Sequence, residues 1–274
     1  MIRPPEIDWT AARVPGIGPE GAIVVTGAGG AMGRATTHAL IELGAVVVCV
    51  GRSRSSLEET VKTSAEPSRG HALPADIASQ DDLRRLVASL RELPVPVRGL
   101  VNCAAVSDGA DLAMDVDIDV ARQVFEVNYF GALAVSTAVA GLMREADGGR
   151  VVHVSSVAKH RAMPGGSQYG ASKAALTRLV RSLAVEWGPD GIRVNLISPG
   201  QTPTPLTPVG TIGASAEPPP QRQGASASTV PVGRRGALSD YVGAIVFLLS
   251  DLSAYVTGHD LAVEGGVMWR RPTG

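Results

Sequence analysis

Seven short runs of apolar, mostly β-branched residues recur along this chain, and several are apolar without interruption. They lie at residues 22–26, 45–50, 71–75, 99–103, 150–154, 192–197 and 260–263. A strand with one face in water alternates apolar and polar residues, so an unbroken run implies a strand covered on both faces. Helix-length segments separate the runs, among them 32–43, 81–90, 120–143 and 172–187. This alternation predicts an α/β fold, a doubly wound parallel sheet with right-handed helical crossovers on both sides. No repeat of solenoid length interrupts it.

At 274 residues with 45% apolar content the chain can fill one large core. Its formal charge of -1 argues against a broad nucleic-acid-binding face. No apolar run approaches a membrane span, and Met-Ile-Arg-Pro-Pro-Glu at the start lacks the apolar core of a signal peptide. A cytoplasmic location is the expectation. Cys49 and Cys103 sit inside strand-like runs and read as small buried hydrophobes, with neither a disulfide nor a metal site expected. Residues 1–20 read as an irregular arm, 21–268 as one dinucleotide-binding catalytic domain and 269–274 as a tail. Within the domain, residues 202–235 carry Pro203, Pro205, Pro208 and Pro218-Pro219-Pro220, which no continuous helix tolerates. A long loop just after a strand's carboxyl end reads as a substrate lid.

Two local patterns carry chemistry. The first strand runs into Thr26-Gly27-Ala28-Gly29-Gly30-Ala31-Met32-Gly33 and then a helical segment. Glycines allow a tight turn and close approach, and a helix N-terminus offers free N–H groups to a pyrophosphate. Strand before and helix after make this a dinucleotide-binding turn. Further on, Tyr169 and Lys173 stand four apart, on one face of a helix. An ammonium near a phenol favours ionisation, so the pair predicts a proton donor tuned toward neutrality.

Taken together the landmarks resemble the short-chain dehydrogenase/reductase family in its compact branch, over nearly all of residues 21–266. The family's Thr-Gly-x-x-x-Gly-x-Gly is matched at Thr26, Gly27 and Gly33, with Ala31 at the middle glycine. Asp76-Ile77 stands where the family holds the adenine amino group. Asn102-Cys103-Ala104-Ala105 stands for Asn-Asn-Ala-Gly, and Phe125-Glu126-Val127-Asn128 for the helix carrying a structural and catalytic Asn. Ser156 lies thirteen residues before Tyr169, and Pro199-Gly200-Gln201-Thr202-Pro203-Thr204 matches Pro-Gly-x-x-x-Thr.

The resemblance implies a Rossmann fold and a hydride-transfer reaction between a nicotinamide cofactor and a secondary alcohol or ketone. It implies that Tyr169 is the general acid/base, that Lys173 lowers its pKa and binds ribose, that Ser156 orients the substrate oxygen and that Asn128 supports a proton relay. The implied cofactor contacts are Thr26, Gly27, Gly30, Ala31, Met32, Gly33, Arg52, Ser53, Asp76, Ile77, Asn102, Ala104, Pro199, Gly200, Thr202 and Thr204, with Tyr169 and Lys173. It also implies a small-molecule substrate and a homo-oligomer, tetramer or dimer. After the second strand an acidic residue would select NAD, whereas here stand Gly51, Arg52 and Ser53, and an arginine pairs with a phosphate bidentately. NADP is the expected cofactor, with NAD the alternative. An NAD-linked dehydrogenase and a non-catalytic dinucleotide sensor are the rival functions.

Other residues read as structural. His153 fits a core position, Trp187 packing, and Arg234-Arg235 a turn. Asp108, Asp111, Asp115, Asp117 and Asp119 read as a solvated approach to a helix, and Lys159 and His160 as possible substrate contacts.

Overall fold

Strand β1 (Ala22–Thr26) is buried at every position and lies near the middle of a seven-stranded sheet of order β3-β2-β1-β4-β5-β6-β7. The computed structural model describes residues 8–9, 13–108, 112–162, 164–202 and 230–269. Its other strands are β2 (Val46–Gly51), β3 (Gly70–Pro74), β4 (Val97–Asn102), β5 (Gly149–Val154), β6 (Ile192–Pro199) and β7 (Asp260–Val263). Every neighbouring pair is parallel.

Successive side chains on a strand point to opposite faces, and here both faces meet helices. Val24, Leu100, Val151 and Val194 pack with α3 (Gln80–Arg91), α5 (Ala132–Glu145) and α6 (Ser167–Trp187). Val25, Cys49, Val101, Val152 and Ile197 pack on the other side with α1 (Ala31–Glu42), α2 (Arg54–Lys62) and α7 (Leu238–Leu249). That is why the strands read as unbroken apolar runs. Trp187 packs against the first of these clusters, and Arg234 makes a two-toothed pair with Asp240 at 2.6 and 2.7 Å.

The segment expected as one helix over 120–143 is interrupted. Helix α4 (Ile118–Phe125) passes into a π-helical turn, Glu126–Gly131, before α5 resumes. Gly131 permits close passage there, since a Cβ at that position would stand 3.0 Å from Ile77 Cγ1. By length and composition the whole stretch Ile118–Glu145 could cross a membrane, which run lengths alone did not suggest. Its apolar residues Val135, Val139, Leu142 and Met143 are instead buried in the core against the sheet.

Candidate active site

The carboxyl ends of the strands gather nearly every expected site residue on one edge, where ligands bind in such sheets. The strand order reverses between β1 and β4, and the glycine turn lies there. Gly27 has φ +63°, and a Cβ on it would stand 2.9 Å from the Ala104 nitrogen, so only glycine fits without strain. Helix α1 starts at Ala31 with Gly30 as N-cap and no side chain capping it. Gly30 and Ala31 are exposed. The first-turn N–H groups of Ala31, Met32 and Gly33 therefore form a cradle without a side-chain acceptor, fitted to a diphosphate.

At the end of β2, Arg52 is exposed. Ser53 caps α2, its oxygen accepting from Ser56 N at 3.3 Å, with the Ser55 and Ser56 hydroxyls 3.2 and 3.0 Å away. Three hydroxyls and an arginine with no carboxylate at this strand end suit a phosphate. Beyond β3, Asp76 accepts from Ala78 N at 2.9 Å, and its own N–H donates to Asp82 at 2.8 Å. Ile77 is buried. Beyond β6, Gly200 N donates to Val263 O at 2.9 Å, fastening Pro199-Gly200 to β7, and Thr202 closes back on Gly200 O at 3.4 Å. Thr204 and most of the 202–235 segment lie outside the described residues, as do Asp111 and the tail from 270.

The side chains of Thr26 and Asn102, both expected among the cofactor contacts, bond inside the protein. Thr26 Oγ1 donates to Asn102 Oδ1 and accepts from Ala104 N. Asn102 Nδ2 then faces His153 Nδ1 at 3.2 Å, and an amide nitrogen only donates. Nδ1 is thus the acceptor, and Nε2 carries the hydrogen toward Ser136 Oγ at 3.2 Å. Ser136 donates onward to Ala132 O at 2.6 Å. His153 is fully buried, and burial, aided by the Lys173 charge, pulls its pKa down to about 3. It is a neutral core histidine.

The four expected catalytic residues converge from α4–α5, β5 and α6. Asn128, in the π-helical turn, is 1% exposed. Its side chain accepts from Val106 N and donates to Val106 O, both at 2.9 Å, and donates to Ser172 Oγ at 3.0 Å. Ser172 in turn donates to Tyr169 O at 2.8 Å. The amide thus clasps the loop after β4 to α6. Ser156 caps the 3₁₀ turn Val157–Lys159, accepting from Ala158 N at 3.1 Å, which leaves its own hydrogen to give. It also acts on the Tyr169 phenol, working to lower its pKa. Lys173 is 1% exposed and its Nζ lies 5.7 Å from the Tyr169 ring centre.

The expected tuning of Tyr169 toward neutrality is not what the geometry gives. Desolvation pushes the phenol up to about 12, the Ser156 hydrogen bond opposes this, and the Asp108 carboxylate adds to the rise. The Lys173 ammonium is turned to Val154 O at 2.9 Å instead of the phenol oxygen. Burial also pulls Lys173 itself down to about 8, with the nearby Lys159 adding to the fall and Cys103 opposing it. At neutral pH the pair is a phenol holding its proton beside a lysine that releases one with unusual ease.

Two residues of this edge have roles that sequence reasoning missed. Asp108 is 4% exposed, not solvated, and its Oδ2 accepts from Gln168 N at 3.1 Å and Tyr169 N at 3.3 Å. Nothing local sets it apart from Asp115, Asp117 and Asp119, since its partners lie sixty residues on. Lys159, expected near substrate, turns inward. Its ammonium pairs with Asp260 at 2.6 Å and donates to Ser198 Oγ at 2.6 Å, and Ser198 donates to Asp260 at 2.6 Å. His160 stands 3.4 Å from the same carboxylate and is half exposed.

Comparisons with known proteins place the chain among relatives of one family and fold. A family model described as enoyl-(acyl carrier protein) reductase matches residues 27–268. D-erythrulose reductase of Gallus gallus is 36% identical over 89% of this chain and 94% of its own length. An uncharacterized short-chain type dehydrogenase/reductase of Sinorhizobium fredii is 33% identical over 90% of this chain, which spans only 43% of that longer protein. The solved structure of a short-chain type dehydrogenase/reductase from Mycobacterium ulcerans superposes with a TM-score of 0.82 at 31% identity, covering 93% of this chain and 92% of that one.

Proposed function

The chain belongs to the short-chain dehydrogenase/reductase family, and from that premise we propose an NADP-preferring enzyme in which Tyr169 exchanges a proton with the substrate oxygen. It is a nicotinamide-dependent oxidoreductase of alcohols and ketones. The observation that carries the residue assignment is the convergence of Ser156, Tyr169 and Lys173 at the strand edge that also bears the uncapped start of α1. The nicotinamide, when bound, supplies or receives the hydride.

The protein's own residues do the rest. Tyr169, protonated at neutral pH, gives its hydrogen to a carbonyl oxygen during reduction and takes one back during oxidation. Ser156 donates its free hydrogen to that oxygen and stabilises the charge that develops there. Lys173, easily deprotonated, restores the proton from the interior side. Asn128 holds the β4 loop and α6 in register, and the π-helical turn around it frees backbone groups for a relay to solvent.

Gly51, Arg52 and the hydroxyls of Ser53, Ser55 and Ser56 support NADP over NAD. The D-erythrulose reductase relative points to small hydroxyketones as the first substrates to try. Assembly into a homo-oligomer through α4, α5 and α6 remains part of the same proposal. The decisive experiment is turnover of a hydroxyketone panel with NADPH by the native protein and by Tyr169→Phe. A fall of at least about 100-fold in kcat supports the acid/base role, and an unimpaired Tyr169→Phe protein sinks it.

A further inference from the structure

We propose that Asp108 is a positioning residue: from the loop after β4 it fixes the first turn of α6 with its carboxylate, and by placing that charge beside Tyr169 it keeps the phenol in its proton-bearing form. The inference rests on the reading of Tyr169 as acid/base.

The catalytic helix starts without a cap of its own, since Gly166 at its N-cap has no side chain to offer. Asp108 supplies the acceptor from outside the helix, on the N–H groups of Gln168 and of Tyr169 itself. A carboxylate at a helix N-terminus is held by the dipole as well as by those two bonds. The loop that carries it is made rigid two residues earlier, where Asn128 clasps Val106 on both backbone groups. At 4% exposure the charge is little screened by water.

Among the described residues, Lys173 stands 5.7 Å from the Tyr169 ring centre, and further titratable groups stand around Lys173. Lys173 lies one turn further along α6, Cys103 follows β4, His153 lies on β5 and Lys159 on the 3₁₀ turn. Cys103 and Lys159 act on Lys173, and Lys173 acts on His153. Among the described residues, Asp108 acts on the phenol and makes phenolate costlier. A phenol that keeps its proton serves reduction, whereas oxidation of an alcohol must start from phenolate. Asp108 therefore moves the pH at which each direction is fast, leaving the overall equilibrium untouched.

The test is Asp108→Asn, which keeps an oxygen for both N–H groups and removes the charge. Protein carrying 3-fluorotyrosine, whose fluorine lowers each phenol into a range where the fold survives, is titrated by ¹⁹F NMR, with Tyr169→Phe assigning the resonance. The Tyr169 midpoint should fall by about one pH unit in Asp108→Asn. The pH profiles of kcat/KM for reduction and for oxidation should move down together with it, their ratio at any one pH staying fixed by the overall equilibrium. An unmoved midpoint overturns the proposal, whatever happens to turnover. Should Asp108→Asn fail to fold, Asp108→Glu keeps the charge, and a midpoint that falls in that variant overturns the proposal equally. Because the NMR midpoint is read without turnover, it stands apart from the Tyr169→Phe activity test of the acid/base reading.

Discussion

Lys173 is the residue where function and stability conflict most directly. Buried at 1% exposure, it titrates near 8 in the fold against an ordinary 10.5. The unfolded chain binds that proton more tightly, so the folded state is penalised in full below pH 8, and the penalty fades between 8 and 10.5. Lys173→Met should abolish turnover yet raise folding stability at pH 7 by about 2–3 kcal/mol. Chemical denaturation across pH 6–11 checks it, and a gain that fails to shrink toward pH 10.5 would refute the cause assigned. Residue identities at this site were legible because Tyr169 and Lys173 share a helix face and Ser156 ends a strand. Their electrostatics were not. Spacing brings Lys173 near the ring, but only the fold reveals that its ammonium prefers Val154 O and that Asp108 sits against the helix start.

At the level of elements, the end of β6 and the start of β7 are stapled to the turn that follows Ser156. Lys159 is 2% exposed and Asp260 14%, so their pair is sheltered from salt and water. Burial works to raise the Asp260 pKa, but the bonds from Lys159 and Ser198 and the Lys159 charge outweigh it, and the net direction is down. Its stabilising contribution is present above the unfolded value of ~3.9 and is lost as pH falls through the lower folded one. Asp260→Asn leaves the ammonium buried without its counter-charge, and should destabilise the protein by about 3 kcal/mol at neutral pH. Urea melts from pH 3 to 7 should also show a flatter acid limb in the variant. An Asp260→Asn protein as stable as the native one would mean that the staple carries no energy. The elements themselves were readable from unbroken apolar runs and from the Gly27 turn. The π-helical turn was not, because 118–145 has helical composition throughout and the interruption follows from Asn128 and Gly131 meeting other elements.

Across the whole molecule, the open start of α1 lies along one sheet edge with the Ser53-capped start of α2, beside an arginine and three serine hydroxyls. A ligand held there stabilises the fold by mass action. NADPH at 100 times its Kd should add about 2.7 kcal/mol, and NADH at that same concentration clearly less. Arg52→Ala should remove most of the difference in thermal shift, and a native protein that favours NADH would overturn the NADP reading. The parallel sheet and its two packed layers were legible from sequence because parallel strands must be covered twice. The chain of hydrogen bonds from Thr26 through Asn102, His153 and Ser136 to Ala132 was not, since it joins three strands and a helix. Thr26, Asn102, His153 and Ser136 each give one hydrogen and take another, ending on the Ala132 carbonyl, so the chain has a direction. No member can drift alone. A lineage that exchanged Ser136 for alanine would strand the His153 N–H in the core, and only a matched change along the chain would restore it. These four positions should be inherited as a single character, with variation among this protein's descendants arriving there in pairs.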